Sequence, residues 1–258
     1  ILALSEGAVA LNYWMLPATE KSISLDFFKA DYDGGEGLNF FTSMVYLSGY
    51  FPVGEKLTFV FDYPMSNVSS DDFSQTLFGN PYVGVEMSFP SLDASQRFIS
   101  RLGFRPPFAS DEKIAASVLG GLSMFDRFES FLPDWWTFSG GFGYQYTTVD
   151  RVALGFDITG DLMVPDGEGE DVELFIDYNL GVWYRPQMAR LGVGFAGRFW
   201  ATEGDLDFGE RTVHQLGLFG GYKFGSFEPG IHFRIPLDED LTETINFLYG
   251  INLTASFQ

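Results

Sequence analysis

Three arginines stand at four-residue steps in one short stretch: Arg97, Arg101 and Arg105. In an extended chain alternate side chains share a face, so this step of two pleats sets all three guanidiniums in one row. Asp157 and Asp161 repeat the step, and Glu173 and Asp177 repeat it again on the next extended stretch. A cationic row facing an anionic row has two uses. It can set up a field across a water-filled space that orients passing solutes, or it can collapse into pairs that fill the space. Arg198, His232 and Arg234 share the same inner parity on later stretches, as do Asp26, Asp62, Glu86, Arg185, Lys223 and Glu228. The expected lining residues are therefore Arg97, Arg101, Arg105, Asp157, Asp161, Glu173, Asp177, Arg198, His232 and Arg234, with the arginine row facing the carboxylates.

Other chemistry is thinly represented. There is no cysteine, so neither a disulfide framework nor a thiolate metal site can form. The runs "DGEGED" (166–171) and "DLDFGE" (205–210) bring oxygens together but lack the ligand spacing of an EF-hand loop. They read as solvated acidic surface, with no metal and no cofactor expected. A net charge of −20 removes nucleic acid as a partner, since Lys and Arg supply that affinity, and it disfavours docking on an anionic bilayer surface.

The elements that must position these charges are long alternating strands. From Ile245 to Phe257 every odd position is apolar, and thirteen such residues exceed the roughly 9–11 that a tilted strand needs to cross a bilayer. Leu57, Phe59, Phe61 and Tyr63 alternate with Lys56, Thr58, Val60 and Asp62. Val172, Leu174, Ile176, Tyr178, Leu180 and Val182 alternate with Glu173, Asp177 and Asn179. Twelve strands are expected near 20–32, 38–51, 55–65, 80–90, 96–105, 135–148, 151–163, 172–185, 189–201, 213–224, 227–236 and 243–257. Short connections take turns with longer acidic ones: 52–55, 90–94, 149–150, 186–188 and 225–226 against 33–37, 66–79, 106–134, 165–171, 202–211 and 236–242. The uncharged run 37–54 holds Asn39, Thr42, Ser43, Ser48 and Pro52 and reads as a strand entering a turn, not as a membrane helix.

An even strand number, both termini on one side and alternating short turns and long loops fit an all-β, transmembrane, antiparallel up-and-down barrel. Lipid offers no water to unpaired backbone groups, so a spanning sheet must close. The apolar parity would face lipid. Trp135, Trp136, Tyr146, Tyr184, Trp200 and Tyr222 would form the interfacial girdles. Residues 20–258 form the barrel on this reading, and no linker divides them. Residues 1–19, "ILALSEGAVALNYWMLPAT", are an apolar segment that either enters the lumen as a plug or packs on the rim. The chain opens without the positive n-region of a signal peptide, so either a signal has been removed or the sequence begins inside the mature chain. The longest connection, 106–134, should hold a short helix capped by Ser110, with Asp111 and Glu112 in its first turn. Ile114, Val118, Leu122 and Phe125 share one face of it. Such a helix either constricts the pore or, more commonly, covers the rim.

On these residues the whole chain resembles a bacterial outer-membrane β-barrel of porin-like type. The family's terminal aromatic is matched by Phe257, though Gln258 follows it. Within the class, "FGNPYVGVEMSF" (78–89) with its following turn and Arg-bearing strand is similar to the small phenol-degradation-type channels for hydrophobic compounds. The resemblance implies an outer-membrane location and passive diffusion of ions or small solutes, hydrophobic compounds among them. The alternative is an occluded structural or partner-binding barrel in a larger surface complex. Membrane lipid and small solutes are the expected partners; a homo-oligomer or a surface-complex partner is compatible with either reading. Barrel enzymes fit poorly. His214 is followed by Gln215 and Leu216, and His232 by Phe233 and Arg234, so neither matches the outer-membrane phospholipase pattern or the omptin Asp-x-His spacing. No enzyme is expected.

Overall fold

Apolar residues that recur at every second position can be buried together only on one face of a strand. In the computed structural model of the protein, the alternating stretches are strands, described here for residues 21–33, 38–39, 41–91, 95–148, 151–167, 169–186 and 188–257. In chain order they are β1 (Lys21–Tyr32), β2 (Ser43–Val53), β3 (Leu57–Ser69), β4 (Ser74–Phe78), β5 (Tyr82–Pro90), β6 (Gln96–Arg105), β7 (Trp135–Thr147), β8 (Val152–Pro165), β9 (Glu173–Tyr184), β10 (Ala189–Trp200), β11 (Thr212–Tyr222), β12 (Phe227–Pro236) and β13 (Ile245–Phe257). Two helices, α1 (Ile114–Ser123) and α2 (Glu239–Thr242), lie in connections, and 3-10 turns cover Asp111–Lys113 and Phe125–Ser130. The apolar segment 1–19 lies outside the described residues.

All pairings between strands are antiparallel neighbours. β1 pairs with β13 from Lys21↔Phe257 upward, and β2 pairs with both β1 and β3, which closes the ring. β4 and β5 both lie along β3, β4 beside Met65–Ser69 and β5 beside Leu57–Asp62, so they occupy one interrupted position. The result is a closed barrel of twelve strand positions with one extra strand. Both ends of the barrel sequence sit at the rim of short turns. There Phe224 and Phe227 bridge across Gly225, whose φ of +57° suits a glycine in a two-residue turn. The long connections collect at the opposite rim.

The structure differs from the sequence reading in detail. The second strand begins at Ser43, not 38. The stretch 66–79 is not all loop: β3 continues to Ser69 and β4 returns beside it. The apolar parity of β13 holds from Phe247 onward, but a register irregularity at Asp31/Tyr32 turns Ile245 inward, where it is 1% exposed. Trp200 does not join an outer girdle; its ring stacks on Phe175 at 5.7 Å, and its indole N–H is bonded to Glu173.

The outer wall is almost wholly apolar where it is exposed: Leu25, Phe98, Leu102, Phe142, Leu180, Val193, Leu218, Ile231 and Ile251. A band of this kind around the entire circumference would be untenable in water and is what lipid requires. The fold is that of a bacterial outer-membrane β-barrel, with lipid against this wall. The inner parity is polar through most of the lumen, and an apolar cluster closes its long-loop end. Phe28, Tyr46, Met44, Val68, Leu77, Ile245 and Leu248 from the wall meet Ala109, Ala116, Met124 and Phe131 from the 106–134 connection.

Candidate functional site: a latched lumen

Two large inner-facing aromatic rings lie along the wall, over strand glycines. Trp183 covers positions 155, 181 and 192, where any Cβ would come within 2.4–2.7 Å of its ring, so only glycine fits there. Tyr82 covers 84 and 103 in the same way. Rings packed over strand glycines restore lost side-chain contacts without projecting toward the axis.

The arginine row and its carboxylates all reach the inside, but not as facing rows. Arg101 bonds Asp157 directly and stands 3.4 Å from Glu86, which accepts the Tyr50 hydroxyl. The pair crosses β7 where Gly143 stands; a Cβ there would sit 2.7 Å from the Asp157 carboxylate. Arg105 lies 3.6 Å from Asp62. Arg198 is bound through Nε and Nη2 to Asp177 (2.5 and 2.8 Å) and through Nη2 to Asp161 (2.9 Å). Arg97 is buried on the inner wall beside Gln145. Glu173 is held apart at the long-loop rim by Trp200 and Thr202. His232 is stacked on Phe28 at 4.4 Å. The expected field across the lumen is thus replaced by short-range pairs, because each arginine finds its carboxylates directly opposite on the neighbouring strand (Arg101 with Glu86, Arg198 with Asp177) or one strand beyond (Arg101 with Asp157, Arg105 with Asp62, Arg198 with Asp161).

The sequence reading missed the residues that join these pairs into one site. The connection 106–134 turns into the barrel. α1 presents Ala116, Ser117, Gly120 and Ser123 inward, and Ile114, Val118 and Leu122 remain exposed. The apolar face expected to pack is therefore turned out, and the small residues allow close approach. Only Phe125 of the expected face is buried.

Beyond the helix, the turn "FDRFES" carries three charges to three parts of the wall. Asp126 is 3.2 Å from Arg234. Arg127 is 3.6 Å from Asp62. Glu129 stands between Arg105 (3.4 Å) and Arg198 (2.9 Å). Arg198 also donates to the Phe125 carbonyl and lies 4.8 Å from the Phe128 ring.

Asn80, in the break between β4 and β5, anchors the same segment. Its amide donates to the Glu129 and Leu132 carbonyls and accepts from the Phe108 and Ala109 N–H groups. Its backbone N–H donates to Ser130. The charged side chains that the turn and the wall share (Asp62, Arg105, Asp126, Arg127, Glu129, Arg198 and Arg234) are all buried, where a hydrogen-bonded charge pair holds its geometry strongly. Among Arg105, Arg127, Glu129 and Asp161 lies a cavity of about 10 Å³, room for a single water. At this level the side chains of the wall and of the turn close on one another.

Two further features bear on chemistry. His214 lies outside this lumenal site, near the long-loop rim, bonded to the Tyr178 hydroxyl (2.6 Å) and to Asp238 (3.0 Å) and stacked on Phe195. The chain of three ties the connection carrying α2 to β9 and β11. Among the described residues no group of three His, Asp or Glu is disposed to hold a metal ion.

No protein-family model matches the sequence, and no curated protein matches it. Among solved structures the fold is similar to an outer-membrane channel from Pseudomonas putida F1, with a TM-score of 0.63 and 10% identity over 97% of this chain and 100% of that one. Weaker likeness, each with a TM-score of 0.49, extends to LpxR from Salmonella typhimurium (8% identity; 92% of this chain, 100% of that) and to the translocator domain of the autotransporter NalP from Neisseria meningitidis (10%; 92% and 87%).

Proposed function

We propose that the protein is an outer-membrane channel for ions and small polar solutes, held shut in this structure by its own 106–134 connection. The observation that carries the reading is the construction of the closure. One continuous segment packs on the apolar long-loop end of a lumen whose wall is polar below it, where Trp183 and Tyr82 lie over strand glycines. The seal is also incompletely satisfied: Arg127 Nε and Nη2, both buried, meet no hydrogen-bond acceptor among the described residues. Each such donor costs about 1–3 kcal/mol, so the plug is seated less firmly than its number of contacts implies. Asn179 Oδ1, Gln145 Nε2 and Gln215 Nε2 are likewise buried without protein partners there, a pattern that water or solute in the lumen satisfies. The Pseudomonas putida neighbour, an outer-membrane channel, supports the same reading.

On this reading the barrel is a conduit and not an enzyme, and Tyr178–His214–Asp238 is a structural tie. The alternative, an occluded barrel serving a larger surface complex, is favoured by the charge pairs that fill the arginine level. Hydrophobic cargo is favoured by the exposed Ile114, Val118 and Leu122 at the mouth. Recording in planar bilayers separates these. A gated channel gives a mostly silent wild type and steady conductance steps once Glu129→Gln loosens the plug. A variant that stays folded and electrically silent sinks the channel reading.

A further inference from the structure

Arg127 is the plug's only cation inside the lumen, and the place it occupies is built from the wall. Its guanidinium carbon sits 3.9 Å from the centre of the Tyr46 ring, close contact for a cation over an aromatic face. Asp62, fully buried on β3, approaches it at 3.6 Å through the oxygen that stands equally far from Arg105. Asp62 Oδ2 accepts no hydrogen bond among the described residues, and neither does the Tyr46 hydroxyl find a partner there. Asp62 is held in position by a 2.7 Å bond from Ser48 to its other oxygen. Asp26 lies opposite Tyr46 in the β1–β2 register, on the same inner parity, and is held by Asn252 at 2.8 Å. Asp26, Tyr46 and Asp62 thus stand on three adjacent strands along one stretch of the inner wall.

We infer that this wall patch is a binding subsite for a small organic cation of the guanidinium or alkylammonium class, and that Arg127 occupies it as a tethered stand-in. The chemistry follows from the partners. An aromatic face and two carboxylates favour a flat or weakly hydrated cation over a small hydrated one. The distance of 3.6 Å, too long for a good hydrogen bond, means that the tethered guanidinium fits the carboxylate imperfectly. A free cation without the plug's backbone restraint can approach closer. An open conduit needs sites that bind weakly enough to release, and a half-satisfied seat of this kind is one. Its place on a permeation path rests on the channel reading above; the binding itself does not.

Chemical rescue tests the binding directly. In Arg127→Ala the plug leaves a guanidinium-sized gap beside Tyr46 and Asp62. Methylguanidinium should raise the melting temperature of the purified variant above that in equal sodium chloride, and should do so in neither the wild type nor Arg127→Ala/Asp62→Asn. Failure to exceed the sodium chloride control, or an equal rise in the double variant, overturns the assignment.

A second measurement uses the plug-loosened Glu129→Gln barrel in a bilayer. Methylguanidinium should block its current, and Asp62→Asn should abolish that block; a conducting barrel indifferent to methylguanidinium contradicts the assignment. A barrel with no current at all contradicts the channel reading instead, and the rescue experiment then still decides the subsite.

Discussion

At the scale of single residues, two positions carry most of the account. Glu129 is one carboxylate shared by Arg105 and Arg198. Removing one partner of a buried pair costs about 3–5 kcal/mol because the remaining charge stays desolvated. Glu129→Gln should therefore unseat the plug while leaving the barrel folded, as heat-modifiable mobility in gels would report. Gly143 is the second. A Cβ at that position meets the Asp157 carboxylate at 2.7 Å, so Gly143→Ala should displace Asp157 from Arg101. It should lower the thermal stability of the barrel, and the neighbouring substitution Phe142→Ala, on the lipid face, should disturb the Arg101 pair less. The inward direction of Arg101, Asp157 and Arg198 was legible from parity alone. Their partners were not, because parity assigns a face but neither the stagger between neighbouring strands nor the reach across an intervening one. Glu129 was illegible for another reason: it lies in an irregular turn, where no period marks which way a side chain points.

At the scale of elements, the deciding piece is the connection 106–134. Its helix start at Ser110 was readable from the cap, and the Ser110 hydroxyl does accept from the Glu112 N–H. Its orientation was not readable. Ile114, Val118 and Leu122 suggest a packing face, yet the small face of Ala116, Ser117 and Gly120 is the one buried. Close approach to the rigid wall favours small side chains there: a Cβ on Gly120 would already meet Ser66 and Phe131 within 3 Å. Asn80 fixes this element through five hydrogen bonds from its side chain and backbone N–H. Asn80→Ala keeps the bond to the Ser130 carbonyl but removes the four made by the side chain, at about 1–3 kcal/mol for each group left buried and unpaired. Limited proteolysis of that variant should cut within 106–134 far faster than in the wild type, and β1–β13 should remain resistant. Equal cleavage rates would show that the plug does not depend on this anchor.

At the scale of the whole molecule, the alternation that reveals the barrel also sets its tolerance to charge. Leu180 is exposed on the outer wall near the middle of β9, and Asn179 beside it is buried inside. Leu180→Arg should cost about 2–4 kcal/mol if the band faces hydrocarbon, measured by denaturant unfolding in lipid vesicles. The twelve-strand count, the turn rhythm and the lipid-facing parity were readable because a membrane enforces them along every strand. Whether the lumen was open was not readable, since a field and a set of pairs use the same residues.

The central claim is that one inward-folded segment closes an otherwise conductive barrel. The most direct measurement is single-channel recording of the wild type beside the Asn80→Ala/Glu129→Gln double variant, in the same bilayer and salt gradient. The account predicts long silent periods with brief openings for the wild type and sustained, discrete steps for the double variant. A double variant that is folded, cleaved readily within 106–134 and still without conductance would contradict it.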